Sequence, residues 1–421
     1  MIETFIARRL GAPGRKGSVM LRVATLCVTV SVAVMLVALG VVNGFRGTIG
    51  EKVAGFAADI RVAAAGGGSA YEAQPVEVDS ALIAGMAEVE GVARIQRFAT
   101  KTGVIRGEET IQGIVLRGMA PESDTMFLHR QLVSGRIPVY TDSVRSREAV
   151  VSRALCDRLG LRKGDRFEAL FMNGEVTRRD RFRVAAIYDS GMEEFDRTTV
   201  FCDMGVVQRL NGWRPDQVGG YEVAVAAASD RAAVAEALTE AVGGDDPFWL
   251  GWSGGAEEES VPWLEVTTVE ERYPQIFDWL GMLGLNTTLV IVIMLVVAVV
   301  NMASGVLILV LEQTRTIGIL KALGMRNGML QRIFVWRSAG ITLRGLLWGD
   351  AVGLVLCLLQ QYTGWVTLDP ESYMMAAVPV RIDWMQVLWL NVGTLVVVTA
   401  AMGLPTAIIA RMSPEKSIRF R

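Results

Sequence analysis

One histidine, His129, and four cysteines carry all the imidazole and thiol chemistry in this 421-residue sequence. A lone imidazole cannot assemble a multi-histidine metal site, and a catalytic triad around it is improbable chemistry. His129 is therefore expected to pack or to sit at the surface. Cys27 and Cys357 fall in apolar runs and read as small apolar residues. Cys156 and Cys202 lie in a more polar region, where a disulfide is chemically permitted but spacing alone does not pair them. Gly11 to Ser18 is rich in glycine and basic residues, yet lacks the G-x-x-x-x-G-K-[ST] spacing that cradles phosphate; Gly66-Gly67-Gly68 reads as a flexible turn. No metal and no cofactor is expected on this chain. A net charge of -2 gives no reason to expect nucleic acid.

Two chemical features remain. Arg344 and Asp350 stand in an apolar stretch, where ionisable groups by default mark a function or an interior partner. Six residues apart, they point to different helical faces. Arg344 is expected to pair with another helix, and Asp350 to face water or a dimer cavity, with substrate contact as the alternative. The second feature is the segment from Glu312 to Met325, a short amphipathic helix stopped by Gly324. Ile317, Leu320 and Leu323 recur at spacings of three on one face, beside Arg315 and Lys321. Asn327 is expected to cap the next helix. A helix this short cannot span a bilayer, so it should lie across the mouth of two spanning helices, where a partner can push on it.

Those spanning helices are legible as uncharged runs. Residues 23–42, 281–311 and 385–410 are each long enough to cross a hydrocarbon core of about 30 Å, and residues 333–360 form a fourth candidate that carries Arg337, Arg344 and Asp350. A composition 51% apolar and 20% charged, with mean hydropathy +0.36, suits a membrane protein with a large soluble part. Basic residues precede the first run (Arg8, Arg9, Arg15, Lys16, Arg22), separate the second from the third (Arg315, Lys321, Arg326, Arg332) and follow the fourth (Arg411, Lys416, Arg419, Arg421). The short loop 361–384 holds Arg381 against Asp369, Glu371 and Asp383. The positive-inside rule thus predicts a cytoplasmic segment 1–22, a cytoplasmic connector 312–326, a cytoplasmic tail 411–421, and residues 43–278 outside. The first run is longer than a signal-peptide core and is read as an uncleaved anchor. The expected fold is an α-helical membrane protein of four transmembrane helices with a large α+β periplasmic domain between the first two.

Within 43–278, alternation predicts strands at Asp59 to Val62, Thr102 to Ile105 and Ile111 to Leu116, and a helix near Ser80 to Val89. A second group opens with a strand at Glu148 to Val151, a helix ending at Leu159-Gly160 and the Gly164-Asp165 turn. Phe167 to Met172 and Arg181 to Tyr188 then read as a hairpin about Asn173-Gly174, closed by a polar turn from Glu175 to Asp180, with unequal extension of the strands toward that turn as the alternative. A strand at Tyr221 to Ala226 and a helix at Asp230 to Val242 resume the first pattern, so that a βα-rich domain is interrupted by a small β-rich subdomain at about 147–205. Gly243 to Trp263 reads as an exposed loop whose Trp249, Trp252 and Trp263 anchor it or form a contact surface.

The chain resembles the superfamily that contains macrolide exporters, the cell-division permease FtsX and the lipoprotein-releasing permeases LolC and LolE. Glu312 to Gly324 resembles its coupling-helix pattern E-x-T-R-x-I-G-I-L-K-A-L-G. Phe5 to Leu10, Val42-Asn43-Gly44-Phe45, Gly55 to Ile60, Ile114 to Gly118, Leu159 to Asp165, Leu368 to Tyr373 and Pro405 to Ser417 are similar, in order, to blocks of the lipoprotein-releasing group. The resemblance implies a non-catalytic permease of the bacterial inner membrane. It would pair as a homo- or heterodimer with a second permease and sit on a cytoplasmic LolD-like ABC ATPase that binds the ATP and magnesium. It implies lipoproteins as cargo, extracted from the membrane lipid for a LolA-like periplasmic carrier. The short hairpin resembles the paired permease without a carrier-recruiting hook. The resemblance makes Glu312, Arg315, Ile317, Leu320, Lys321, Leu323 and Gly324 the expected ATPase contact. An acyl cargo needs an apolar shelter at the dimer seam; Val32, Met35, Leu36 and Leu39 of the first run and Leu283, Leu289 and Val292 of the second either line it or pack against a neighbouring helix. Drug or peptide export, with mechanical transmission to an outer partner, and FtsX-like activation of a wall hydrolase are the alternative functions.

Overall fold

The computed structural model describes residues 15–66, 73–107, 110–141, 145–173, 176–227, 229–243, 263–369, 373, 375 and 377–403. The tail 411–421, Trp249 and Trp252 lie outside them, and Trp263 is exposed. Two compact units divide the chain: Met1–Thr48, Asp278–Thr367 and Ala377–Arg421 in one, Ile49–Phe277 and Leu368–Ala376 in the other.

The first unit is built on helices α1 (Arg15–Ala57), α2 (Pro274–Glu312), α3 (Thr314–Ala322), α4 (Asn327–Thr363) and α5 (Trp384–Ala401), with α1 passing into the second unit after Thr48. All but α3 are long and apolar enough to cross a membrane. In lipid, apolar side chains gain nothing by leaving hydrocarbon, so helices associate through close backbone packing. Gly345, Gly349 and Gly353, four residues apart, give α4 a smooth edge against α1. A Cβ would stand 2.7 Å from Val28 at Gly345, 2.7 Å from Val32 at Gly349 and 3.3 Å from Leu36 at Gly353. Thr29 Oγ1 donates to the Gly345 carbonyl across the same seam at 3.3 Å. Around it Val28, Val32 and Met35 pack with Ala298, Met302 and Val306 of α2, Ile341 and Leu346 of α4, and Val398 of α5. Pro379 of the loop ahead of α5 lies so close to α1 that a Cβ at Gly44 would stand 2.1 Å from its carbonyl oxygen.

The second unit is a mixed sheet. Its strands are β1 (Ile60–Ala64), β3 (Val92–Arg106), β4 (Ile111–Met119), β5 (Leu132–Gly135), β6 (Glu148–Ser152), β7 (Arg166–Asn173), β8 (Val176–Tyr188), β9 (Thr199–Asp203), β11 (Gly220–Val225) and β12 (Leu264–Thr268); β2 (Val76–Glu77) and β10 (Gln217–Val218) pair separately. The order is β12-β1-β11-β3-β4-β9-β6-β8-β5, with β7 against β3 and β8. Pairs β4–β9 and β6–β8 are parallel, and the other pairs are antiparallel. The expected subdomain at 147–205 therefore shares one sheet with the rest. The division lies instead within the long strand β3, whose first half pairs β11 and whose second half pairs β4. Two cores follow it. Ile60, Val62, Met86, Tyr221 and Leu238 fill one, and Leu116, Val151, Leu155, Phe171 and Phe182 belong to the other. Local alternation cannot reveal this boundary, because the parallel β4–β9 pairing joins residues far apart in sequence.

One local expectation fails. Val176 to Asp180 is strand, not turn, with Thr177 opposite Met172 and Asp180 opposite Ala169. Thr177, Arg178 and Arg179 are exposed and the one inward side chain after them, Asp180, is polar, so the segment carries no apolar period and a real strand reads as a polar turn.

Candidate functional site

A single residue, Gln313, separates α2 from α3. Thr314 Oγ1 donates to the Leu311 carbonyl at 2.6 Å, taking up one of the acceptors that the ending helix leaves open. At the far end the Met325 amide donates to the Leu320 carbonyl at 3.1 Å while Gly324 sits at φ +89°, a left-handed stop that a side chain would strain. Arg326 occupies the cap position of α4 in extended conformation, without a side-chain cap bond, and Asn327 is the first helical residue. The expected Asn327 cap is thus displaced by one position. The tight reversal at Gly324 places the chain so that helical geometry resumes at 327.

The two faces of α3 differ from the spacing-of-three reading. Ile317 is 2% exposed and packs with Leu330 and Phe334 of α4, and Leu320 lines the same contact half-buried. Ile319 and Leu323, four residues apart, are 48% and 79% exposed. The apolar face of α3 is therefore split. Ile317 and Leu320 hold the helix to this chain, while Ile319 and Leu323 leave an apolar patch facing out, beside the partly exposed Lys321 and ahead of exposed Gly324. Glu312 is exposed at the preceding turn. Arg315 lies in the first turn of α3. The spacing of three through Ile317, Leu320 and Leu323 runs across both faces, whereas the i,i+4 pair Ile319 and Leu323 marks the outward one.

The span residues divide in the same manner. Val32, Met35 and Leu36 are at most 1% exposed in the α1 packing. Leu39 and Leu283 are half-buried, whereas Leu289 and Val292 on α2 are 60% and 52% exposed and continue into Val296 and Val300. Asp350 is half-buried and accepts a hydrogen bond from Asn391 Nδ2 of α5 at 3.1 Å. Arg344 is exposed.

His129 is exposed. All four cysteines are free thiols, so the permitted Cys156–Cys202 disulfide is not formed. Burial pushes the Cys156 thiol up to about 11 and Cys202 well above its ordinary value, which leaves both as inert packing groups. Among the described residues no cluster of His, Cys, Asp and Glu could hold a metal ion.

Four helices long and apolar enough to cross a membrane, with a short connecting helix between the second and third, accompany a mixed-sheet domain. Residues 23–241 match the MacB-like periplasmic core domain and residues 288–414 match the FtsX-like permease C-terminal region, and the chain belongs to this family of ABC transporter permeases. It is similar to the lipoprotein-releasing system transmembrane protein LolC of Xylella fastidiosa strain 9a5c, at 24% identity over 414 residues, covering 94% of this chain and 92% of that one. It is also similar to LolE of Haemophilus influenzae at 22% over 244 residues; this match covers 53% of the chain and spans about half, 51%, of that relative. Among solved structures, the periplasmic region of MacB from Actinobacillus actinomycetemcomitans aligns with 52% of this chain and 92% of that one at 10% identity and a TM-score of 0.33.

Proposed function

We propose that this chain is the permease subunit of an ATP-driven complex that extracts lipoproteins from the inner membrane for transfer toward the outer membrane. The observation that carries the reading is the near full-length similarity to LolC together with an exposed apolar patch on a short connector between two spans. Both termini and α3 face the cytoplasm, and the sheet domain faces the periplasm. A separate ATPase docks on Ile319 and Leu323, with Glu312, Arg315 and Lys321 supplying charge around them. Because Ile317 and Leu320 tie α3 to α4, a push on the outer face moves the spans and not merely the connector. ATP and magnesium belong to that partner, and this chain does no covalent chemistry.

Release must move acyl chains out of lipid at about 0.8 kcal/mol per CH₂, so it needs both force and an apolar shelter. Leu289 and Val292, with Val296 and Val300, provide that wall against a second permease subunit. The test is depletion. Loss of the protein should make outer-membrane lipoproteins accumulate in the inner membrane, and a photo-crosslinker at Leu289 or Val292 should capture an acylated protein or a second permease. Normal lipoprotein sorting on depletion, with no paralogue to compensate, would overturn release in favour of export or wall-hydrolase activation.

A further inference from the structure

Both passages of the chain into the sheet unit, Phe56–Ala57 at the end of α1 and Arg272–Tyr273 ahead of α2, line one cavity of about 50 Å3. Three guanidinium groups share its walls: Arg61 from β1, Arg117 from β4 and Arg272. One buried carboxylate faces them, Glu222 of β11 at 3% exposure, and it is already engaged by Arg117 Nη2 at 2.5 Å and Gln96 Nε2 at 3.0 Å. The Arg61 guanidinium also lies 3.8 Å over the Phe98 ring. Glu194 lines the cavity but is solvent-exposed, and Asp59 is held by Arg231 at 2.6 Å.

Arg272 directs Nη2 to the Ala57 and Ala58 carbonyls, yet its Nε is buried without a hydrogen-bond partner among the described residues, as is Thr100 Oγ1 on the same cavity. Burial pushes Arg61 down to about 10; Glu222 opposes that, and Arg272 and Arg117 push it further. Buried like charges and unmet donors are costly unless an acceptor of opposite sign joins them. The space is several times the roughly 10–15 Å3 that one water needs, and planar guanidinium forks with a hydroxyl are suited to holding an oxyanion.

We propose that this cavity binds one small phosphate-type oxyanion between Arg61, Arg117 and Arg272, with Thr100 as a further donor. Bound there, the anion ties the end of α1 to the residues that open α2, within the sheet unit. The test uses the full-length protein in detergent, with labelled inorganic phosphate in equilibrium dialysis at constant ionic strength and glycerol phosphate as a headgroup mimic in a second arm. Saturable binding near one anion per chain is expected. Arg272→Gln should weaken it about tenfold or more, and Thr100→Val, which keeps shape and leaves the fold intact, should weaken it severalfold. If Arg272→Gln does not fold, the Thr100→Val arm decides. Preference for inorganic phosphate marks a free anion and preference for glycerol phosphate a lipid headgroup; either supports the site. No saturable binding in either arm, or binding that Thr100→Val leaves unchanged, means an adventitious ion only and overturns it.

Discussion

Helices α1 and α2 are equally apolar, with mean hydropathy 2.6 and 2.7 over their spanning windows, yet 39% of the first window is buried inside the protein and only 17% of the second. The difference lies in what faces them. α1 meets the glycine edge of α4, where backbones approach closely enough to bury Val28, Val32 and Leu36 completely. Much of α2 turns Leu285, Leu289, Val292, Val296 and Val300 outward. Equal hydropathy therefore hides two roles. One face holds the helical unit together, and the other is exposed. The short helix α3 with its cap residue Leu323 repeats the division, with Ile317 inward and Ile319 and Leu323 outward.

The comparison breaks most readily at the glycine edge. Gly349→Leu forces a side chain to where a Cβ already meets Val32 at 2.7 Å and the Thr29 carbonyl at 2.9 Å. A loss of about 3 kcal/mol or more is expected, read as a lowered Tm in detergent, while Leu289→Ala on the bare face of α2 should stay within about 0.5 kcal/mol. Equal losses at the two positions would erase the distinction.

The sheet unit offers a contrast in kind, because its interior keeps a buried carboxyl. Asp196 is buried, accepts from Ser190 Oγ at 2.8 Å and the Ser190 amide at 3.1 Å, and is raised to about 6 by burial, with the Ser190 bonds opposing. A carboxyl raised in the folded state favours folding while it keeps its proton. Its contribution is complete below the unfolded value near 3.8 and is lost as pH climbs through 6. The expected loss is on the order of 2–3 kcal/mol across that window, and Asp196→Asn should flatten it, measured as the slope of stability against pH. An unchanged slope would remove Asp196 from the account.

On α3 the paired substitutions should separate anchoring from docking. Leu320→Asp is expected to cost about 1–3 kcal/mol through a half-buried charge, whereas Leu323→Asp leaves stability within about 0.5 kcal/mol but uncouples ATP hydrolysis and loses the ATPase on co-purification. A Leu323→Asp complex that assembles and turns over normally would sink the outward-face assignment. The smallest effect is expected at Asn391→Leu, which deprives Asp350 of its 3.1 Å donor. Interhelical hydrogen bonds in membranes average near 0.6 kcal/mol, so a change of about 0.5–1 kcal/mol should appear, and none at all would mark the bond as incidental.

The residues alone determined the four apolar runs, the sheet-forming alternation between them, the connector at Glu312 to Gly324 and the absence of a phosphate loop, because hydropathy, period and glycine stops act over a few neighbours. The Gly345, Gly349 and Gly353 spacing is equally legible in the sequence. Tertiary structure decided what each apolar side chain is for. Val32 and Leu289 have the same chemistry, and only the helix opposite makes one a core residue and the other a surface. It also decided that Val176 to Asp180 is strand, that β3 serves two cores, and that Arg61, Arg117 and Arg272 share one cavity. Those outcomes depend on pairings between residues distant along the chain, which no local period records.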